Sequence, residues 1–182
     1  MGNQVTFRTS LDIGLTTLLN SSDKTTTLEI EGLNLLPIDE VLPLYRRNYQ
    51  ICNIKIKKLS LFDTNKTIIE YMTANEKTLV RECHFEFNWI LKLRSSEIEE
   101  ALDSEGEIEF KKSKEPNYRY FPIGIPIELW RYPIEGEKYR AIALAKIKIK
   151  EIHMGNNETN GRYKILQVFD ETTRHSLSST FI

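Results

Sequence analysis

With 182 residues, 40% of them hydrophobic and 28% charged, the chain has the composition of a folded globular protein of one domain or two small ones, which excludes a disordered or low-complexity chain. A net charge of −1, with both signs interspersed, gives no overall field for a polyanion or a membrane surface, so such a partner would need a local patch. Cys52 and Cys83 are too few for a secreted disulfide scaffold, no apolar run approaches the ~18 residues of a membrane span, and the N-terminus lacks the basic flank and apolar core of a signal peptide; a cytoplasmic protein is expected.

Gly2 and Thr6 stand at the spacing of a myristoylation signal, but the same residues also read as the start of a strand, and one acyl chain holds a membrane only marginally. Residues 4–9 alternate, with Val5 and Phe7 on one face of an expected strand. Leu15, Leu18 and Leu19 fall at helical spacing, so a short helix is expected before the polar run at 20–23. Residues 27–31 form the next strand, burying Leu28 and Ile30, and Gly32 turns the chain into a segment whose Pro37 and Pro43 suit an edge or irregular strand. In the strand that follows, Ile54 and Ile56 share a face while Leu59 and Leu61 are out of phase by one residue. Keeping all four inward requires a bulge or bend at Lys57-Lys58. A turn at 63–66 leads to a strand through Ile68, Ile69, Tyr71 and Met72, and the polar stretch 74–82 reads as a linker.

Beyond the linker, Phe85, Phe87, Trp89 and Leu91 alternate as one strand, with Phe87 and Trp89 expected in a core. Ser96 and Glu99 fit a capping box opening a short helix, with Ile98 and Leu102 on one face. Residues 107–111 read as a strand burying Ile108 and Phe110. The segment with Pro122 and Pro126 leads to a long strand, 141–154, whose phase slips at Lys150-Glu151 between Ile147/Ile149 and Ile152/Met154. Asn156-Asn157 and Asn160-Gly161 are expected in the turn, residues 163–169 close the unit, and 171–182 reads as a tail packing through Leu177, Phe181 and Ile182.

These elements occur twice. Phe7 corresponds to Phe87 and Ile30 to Phe110, each 80 residues on; Pro37 matches Pro122 at 85, Ile54 matches Ile147 at 93, and Ile68 is aligned with Ile165 at 97. The jumps fall in polar or turn-rich stretches, where insertions cost no core. The expected fold is therefore mainly β: two tandem related small β-barrel or sandwich domains, each with one short helix. Residues 1–73 form the first domain, 74–82 the linker and 83–182 the second domain with its C-terminal tail. A single barrel woven from both copies, in the manner of double-psi folds, is the alternative.

The run Asn117 to Leu129, with Tyr118-Arg119-Tyr120 and Pro122, Pro126 and Glu128, the lysine-bearing strand with Lys146 and Lys148, and Glu86-Phe87-Asn88 at the opening together resemble a family of small uncharacterised all-β proteins of Gram-positive spore formers and cyanobacteria. The second copy fits over most of its length, with Asn117 where that family has Gly. The first keeps Gly32, Pro37, Ile38, Asp39 and Pro43 but has Leu33-Asn34 in place of Tyr-Arg. The resemblance implies an all-β domain and, the family being uncharacterised, supplies no catalytic residues.

The sequence contains no Gly-rich phosphate loop, Gly-x-Ser-x-Gly elbow or His-Glu-x-x-His. Its histidines are His84, His153 and His175, and Cys83 and His84, adjacent in a strand, point to opposite faces. Asp39-Glu40 reads as a turn, since Gly124-Ile125 replaces it in the other copy. No catalytic residue, metal ligand or cofactor is expected. What stands out is basic and aromatic. Lys55 and Lys57, and Lys148 and Lys150, point away from the isoleucines of their strands; Tyr45-Arg46 and Trp130-Arg131 end the strands before them, and Tyr118, Arg119 and Tyr120 lie upstream. Such groups interleaved on a β surface suit phosphate contact and base stacking, and the lysine strand is weakly similar to RNA-binding barrels of the PUA type. Outer-face lysines also serve solubility and discourage edge pairing. Tyr45, Tyr118, Tyr120, Trp130, Tyr132 and Tyr139 are the aromatics suited to anchoring a protein contact. The expected function is a non-catalytic cytoplasmic interaction or accessory module with a protein partner; RNA binding through the lysine and aromatic surface is the alternative.

Overall fold

The computed structural model describes residues 5–13, 25–77, 85–94, 98, 102, 104, 106–114, 117–133 and 141–178. In chain order its strands are β1 (Val5–Phe7), β2 (Leu11–Asp12), β3 (Thr26–Glu31), β4 (Leu33–Leu35), β5 (Val41–Arg46), β6 (Tyr49–Phe62), β7 (Lys66–Ala74), β8 (Phe85–Phe87), β9 (Ile90–Leu93), β10 (Glu107–Ser113), β11 (Tyr118–Tyr120), β12 (Pro126–Arg131), β13 (Ile142–Gly155) and β14 (Glu158–Val168), followed by helix α1 (Glu171–Ser178). Ten strands share one sheet with the spine β10-β14-β13-β6-β5-β2; β12 pairs with β13 and carries β9, while β7 pairs with β6 and carries β3. The remaining four make two short parallel pairs, β1 with β4 and β8 with β11.

The protein is mainly β, but the expected two barrels or sandwiches are not what these strands build. The C-terminal part of β6 pairs antiparallel with that of β13, from Glu151 opposite Phe62 to Gly155 opposite Lys58, and joins the halves in one sheet. The described strands close no barrel, woven or separate. One apolar cluster correspondingly runs through both halves, including Leu11, Leu42, Ile56, Leu91, Leu129 and Ile152. Units this small bury little apolar surface alone, and a shared core raises the buried fraction.

The pairings of β1–β7 recur in β8–β14. β1 runs parallel to β4 as β8 does to β11, and β2 to β5 as β9 does to β12. β3 is antiparallel to β7 as β10 is to β14. Ladder β5·β6 shifts register after Leu44, and β12·β13 after Leu129. In β6·β7, Ile56 faces Tyr71 and Lys58 faces Glu70, leaving Lys57 over; in β13·β14, Ile149 faces Tyr163 and Glu151 faces Arg162, leaving Lys150 over. These bulges lie where the apolar phase slips, and they bring Ile54, Ile56, Leu59 and Leu61, like Ile147, Ile149, Ile152 and Met154, to full burial. Each bulge also marks a change of neighbour. β5 leaves the edge of β6 at Lys55 and β13 takes it up at Lys58. Between them the Asp39 amide donates to Ile56 O at 2.8 Å, as the Gly124 amide donates to Ile149 O at 3.0 Å. Both donors have positive φ, 65° and 76°, so Asp39 is the turn residue its replacement by glycine implied.

Four sequence expectations need correction. Phe85 to Leu91 is not one strand: it breaks at Asn88-Trp89 because β8 follows β11 while β9 follows β12. Asn160-Gly161 lies within β14, since the two-residue turn Asn156-Asn157, with φ of 51° and 60°, already closes the hairpin. That turn is one residue shorter than Asp63-Thr64-Asn65, so the equivalent of Tyr71 is Tyr163, Ile68 matches Asn160 rather than Ile165, and Leu28 rather than Ile30 takes the place of Phe110. Finally, Glu171–Ser178 is a helix rather than a tail. Asp170 caps it, accepting from the Thr173 amide at 2.7 Å, and Leu177 packs with Trp130, Ala143 and Phe169. Phe181 and Ile182 and the expected helix at 15–19 lie outside the described residues, as does most of the linker and of the helix opened by Ser96, where Leu102 donates to Ile98 O at 3.0 Å.

Candidate binding cleft

The eleven binding candidates do not form one surface. Lys57 lies 3.8 Å from Asp39, and Lys150 Nζ lies 2.5 Å from Asp63 Oδ2, a hydrogen bond that pushes the Lys150 ammonium up from its ordinary pKa. Lys55 and Lys148 are half-buried along β6 and β13, and Tyr45, Arg46 and Arg131 are half-buried at the ends of β5 and β12. The aromatic candidates need the larger correction. Tyr118 and Tyr120 are buried, and burial pushes the Tyr120 hydroxyl up to about 12. Trp130, at 2% exposure, sits beneath α1 with its indole N–H donating to Glu128 Oε2 at 2.7 Å, so it cannot serve as a surface anchor. Tyr139 lies outside the described residues.

The exposed rings are elsewhere. The break at Asn88-Trp89 turns Phe87 (47% exposed) and Trp89 (64%) out of the core, and Tyr132 (42%) and Phe7 (51%) stand with them. At the break the Asn88 N–H donates to Tyr120 O, and at the far end of β9 the Tyr132 N–H donates to Leu93 O, each at 2.9 Å. Phe87, Trp89 and Tyr132 line a cleft of about 360 Å3 together with Lys92, Lys112, Arg119 and Glu86. The Phe87 ring lies 5.0 Å from Tyr120 and 5.6 Å from Phe7, centroid to centroid, so the aromatic surface continues from the cleft onto the first half. Lys112 holds its ammonium 5.6 Å from the Tyr132 centroid and donates to Lys92 O.

Of the eleven binding candidates the cleft contains Arg119, and of the aromatics suited to a protein contact it contains Tyr132. The Arg119 amide donates to the buried Thr159 Oγ1 at 3.1 Å; in the first half the Asn34 amide donates to the equally buried Thr67 Oγ1 at 2.9 Å, which marks Asn34 and Arg119 as equivalent. Around Asn34 the polar groups are matched: Arg8 Nε donates to Asn34 Oδ1 at 2.5 Å. At the corresponding place in the second half the residue types are exchanged, Asn88 for Arg8 and Arg119 for Asn34. Asn88 Nδ2 turns to Glu86 O at 3.1 Å, and Arg119 Nε is buried with no hydrogen-bond partner among the described residues. One signal for this site lay in the sequence: the polar run Arg8-Thr9-Ser10 interrupts the first copy where Asn88-Trp89 breaks the second.

A second polar cluster lies on the seam between the halves. His153 faces Ser60 in ladder β6·β13, Nδ1 2.8 Å from Ser60 Oγ, with Nε2 3.1 Å from Glu151 Oε1. Glu151 also accepts from Arg162 Nε at 2.6 Å, and the Arg162 guanidinium first, with His153 adding to it, holds this carboxyl below its ordinary range. A cleft of about 450 Å3 opens over His153, Glu151, Arg162 and Lys111, while Ser60 is buried beneath. The hydroxyl, imidazole, carboxylate and guanidinium pair with one another in series, which secures the seam.

Among the described residues no three His, Cys, Asp or Glu side chains come together as metal ligands, and no helix is long and apolar enough to cross a membrane. No protein-family model, curated protein or solved structure matches this chain.

Proposed function

We propose that the protein is a non-catalytic binding module made of two copies of one β unit, with the cleft at Phe87, Trp89 and Tyr132 as its contact surface. The observation that carries the proposal is the gathering of four exposed aromatic rings in one place. Single exposed apolar residues are ordinary, whereas a contiguous patch marks a contact site. The two-copy reading is supported by the recurring ladders and by bulges at equivalent lysines. In the joint, Leu59 faces Met154 and Leu61 faces Ile152. Exchanging each residue for its counterpart in the other half returns the same ladder, as a twofold axis through Ser60 and His153 requires. On this reading the chain imitates a homodimer whose copies have diverged. The first has closed its polar groups upon themselves at Arg8 and Asn34, and the second has opened a cleft at Arg119. A cytoplasmic location goes with it.

Thermal unfolding of two tryptophan variants tests the contact surface without knowledge of a partner. Trp89→Ala should leave Tm within about 2 °C, since residues kept for binding add little to stability. Trp130→Ala, which empties a buried site, should cost ~3–5 kcal/mol and lower Tm by roughly 6–20 °C. Equal losses would assign Trp89 to the packing and remove the contact-surface reading.

A further inference from the structure

We infer that the occupant of the cleft is single-stranded nucleic acid, an inference that rests on the contact-surface reading above. The cleft joins two kinds of recognition. Phe87, Trp89 and Tyr132 offer ring surfaces, and among the described residues that line the cleft Lys92, Lys112 and Arg119 bring three positive charges and Glu86 one carboxylate. In a chain of net charge −1 this is a local concentration of the sign a phosphate backbone needs. Lysine is depleted from the centres of protein–protein contacts, where aromatics alone would suffice, so the pairing of lysines with rings favours a polyanion that carries planar groups.

Arg119 adds a specific acceptor requirement. Its Nε is buried without a hydrogen-bond partner among the described residues, at the place where the first half satisfies the equivalent groups through Arg8 and Asn34. The side chain as a whole is half-buried and lines the cleft, where a phosphate oxygen can meet the guanidinium in the planar geometry arginine favours. The rings decide between single and double strands. Bases reach an aromatic face only when unstacked from their neighbours, and a cleft of about 360 Å3 holds a nucleotide rather than a duplex. Phe7, 5.6 Å from Phe87, extends the platform past the cleft, as successive bases of one strand require. Sequence preference should be weak, because every base has a face to stack.

The test is fluorescence anisotropy of the full chain with labelled oligo(dT) and oligo(U), a labelled duplex and thymidine monophosphate as competitor. Three phosphate contacts predict a logarithmic salt slope of about −2, so binding should weaken roughly 20-fold between about 50 and 200 mM salt. Trp89→Ala should weaken it about tenfold by loss of one stacked base, and Arg119→Gln should weaken it and make the salt slope shallower by about 0.7. Lys92→Gln, on an exposed side chain, gives the same slope change should Arg119→Gln disturb folding. Lys57→Gln, outside the cleft, should change nothing. The inference is overturned if neither oligonucleotide binds at low salt, if duplex or mononucleotide binds as well as single strands, or if the cleft variants bind like the parent. The module reading survives those outcomes and fails separately, if Trp89→Ala unfolds as readily as Trp130→Ala.

Discussion

Gly161→Ala is the most exacting probe of the second bulge. A Cβ at this position would lie 2.2 Å from Glu151 O and 2.9 Å from the Phe110 ring. The carbonyl belongs to the strand that Lys150 bends, so it cannot retreat without displacing the β13·β14 ladder, where Gly161 faces Ile152. Overpacking of a well-filled site costs ~1–3 kcal/mol, and a backbone obstacle puts this case at the upper end, about 3 kcal/mol. For a chain of this size that lowers Tm by roughly 6–12 °C. The first half makes the opposite choice at the same place, Ile69 facing Leu59, with Leu28 where Phe110 stands in the second. Phe110 therefore occupies volume that Gly161 vacates, and the two sites should be coupled: Phe110→Leu with Gly161→Ala should cost at least ~1 kcal/mol less than the sum of the single changes. Urea unfolding of the four proteins, with slopes checked for constancy, measures both quantities. A Gly161→Ala variant as stable as the parent would refute the close approach of the strands, and strict additivity would refute the exchange of volume.

Deleting Lys150 should abolish cooperative thermal unfolding, because without the extra residue Ile152 and Met154 cannot share a face with Ile147 and Ile149. Lys150→Ala, which keeps the bulge and loses only a partly exposed ion pair with Asp63, should cost about 1 kcal/mol or less. The two melts, followed by circular dichroism, separate the count of residues from the chemistry of the side chain; a deletion variant that melts like its parent would contradict the bulge. Glu151 gives an acid-side prediction. Its folded pKa lies below the ordinary carboxylate range, so the stability it contributes is complete above the unfolded pKa and disappears as pH falls through the folded one. Glu151→Gln should therefore be less stable at neutral pH and lose less stability on acidification. Urea midpoints taken from neutral to acid pH decide it, and parallel profiles would contradict the Arg162 contact.

Both bulges were legible because an apolar face that changes phase within one strand has no other remedy, and Ile56/Leu59 and Ile149/Ile152 announce it. The helix at Glu171–Ser178 carries its own signal in the sequence, Asp170 three residues before Thr173, the spacing of an N-cap. The roles of the two tryptophans were not legible. Alternation says which residues share a face, but not whether anything covers it: α1 covers Trp130, and nothing among the described residues does the same for Trp89. The final hairpin misled for a related reason. Matching isoleucine to isoleucine paired Ile68 with Ile165, whereas the ladder sets Tyr71 and Tyr163 in equivalent places.

Local patterning thus determined most of the strands, the inward faces of the long ones and the residues left over at each bend, since all of these follow from which neighbouring side chains must leave water together. The tertiary structure alone decided that β6 and β13 would join edge to edge, that His153 would meet Ser60 there, and that Arg119 would gather with Phe87, Trp89 and Tyr132. Backbone hydrogen bonding between strands is blind to side-chain identity. The choice of partner edge, and with it the site, is made by the fit of the whole molecule rather than by any stretch of the chain.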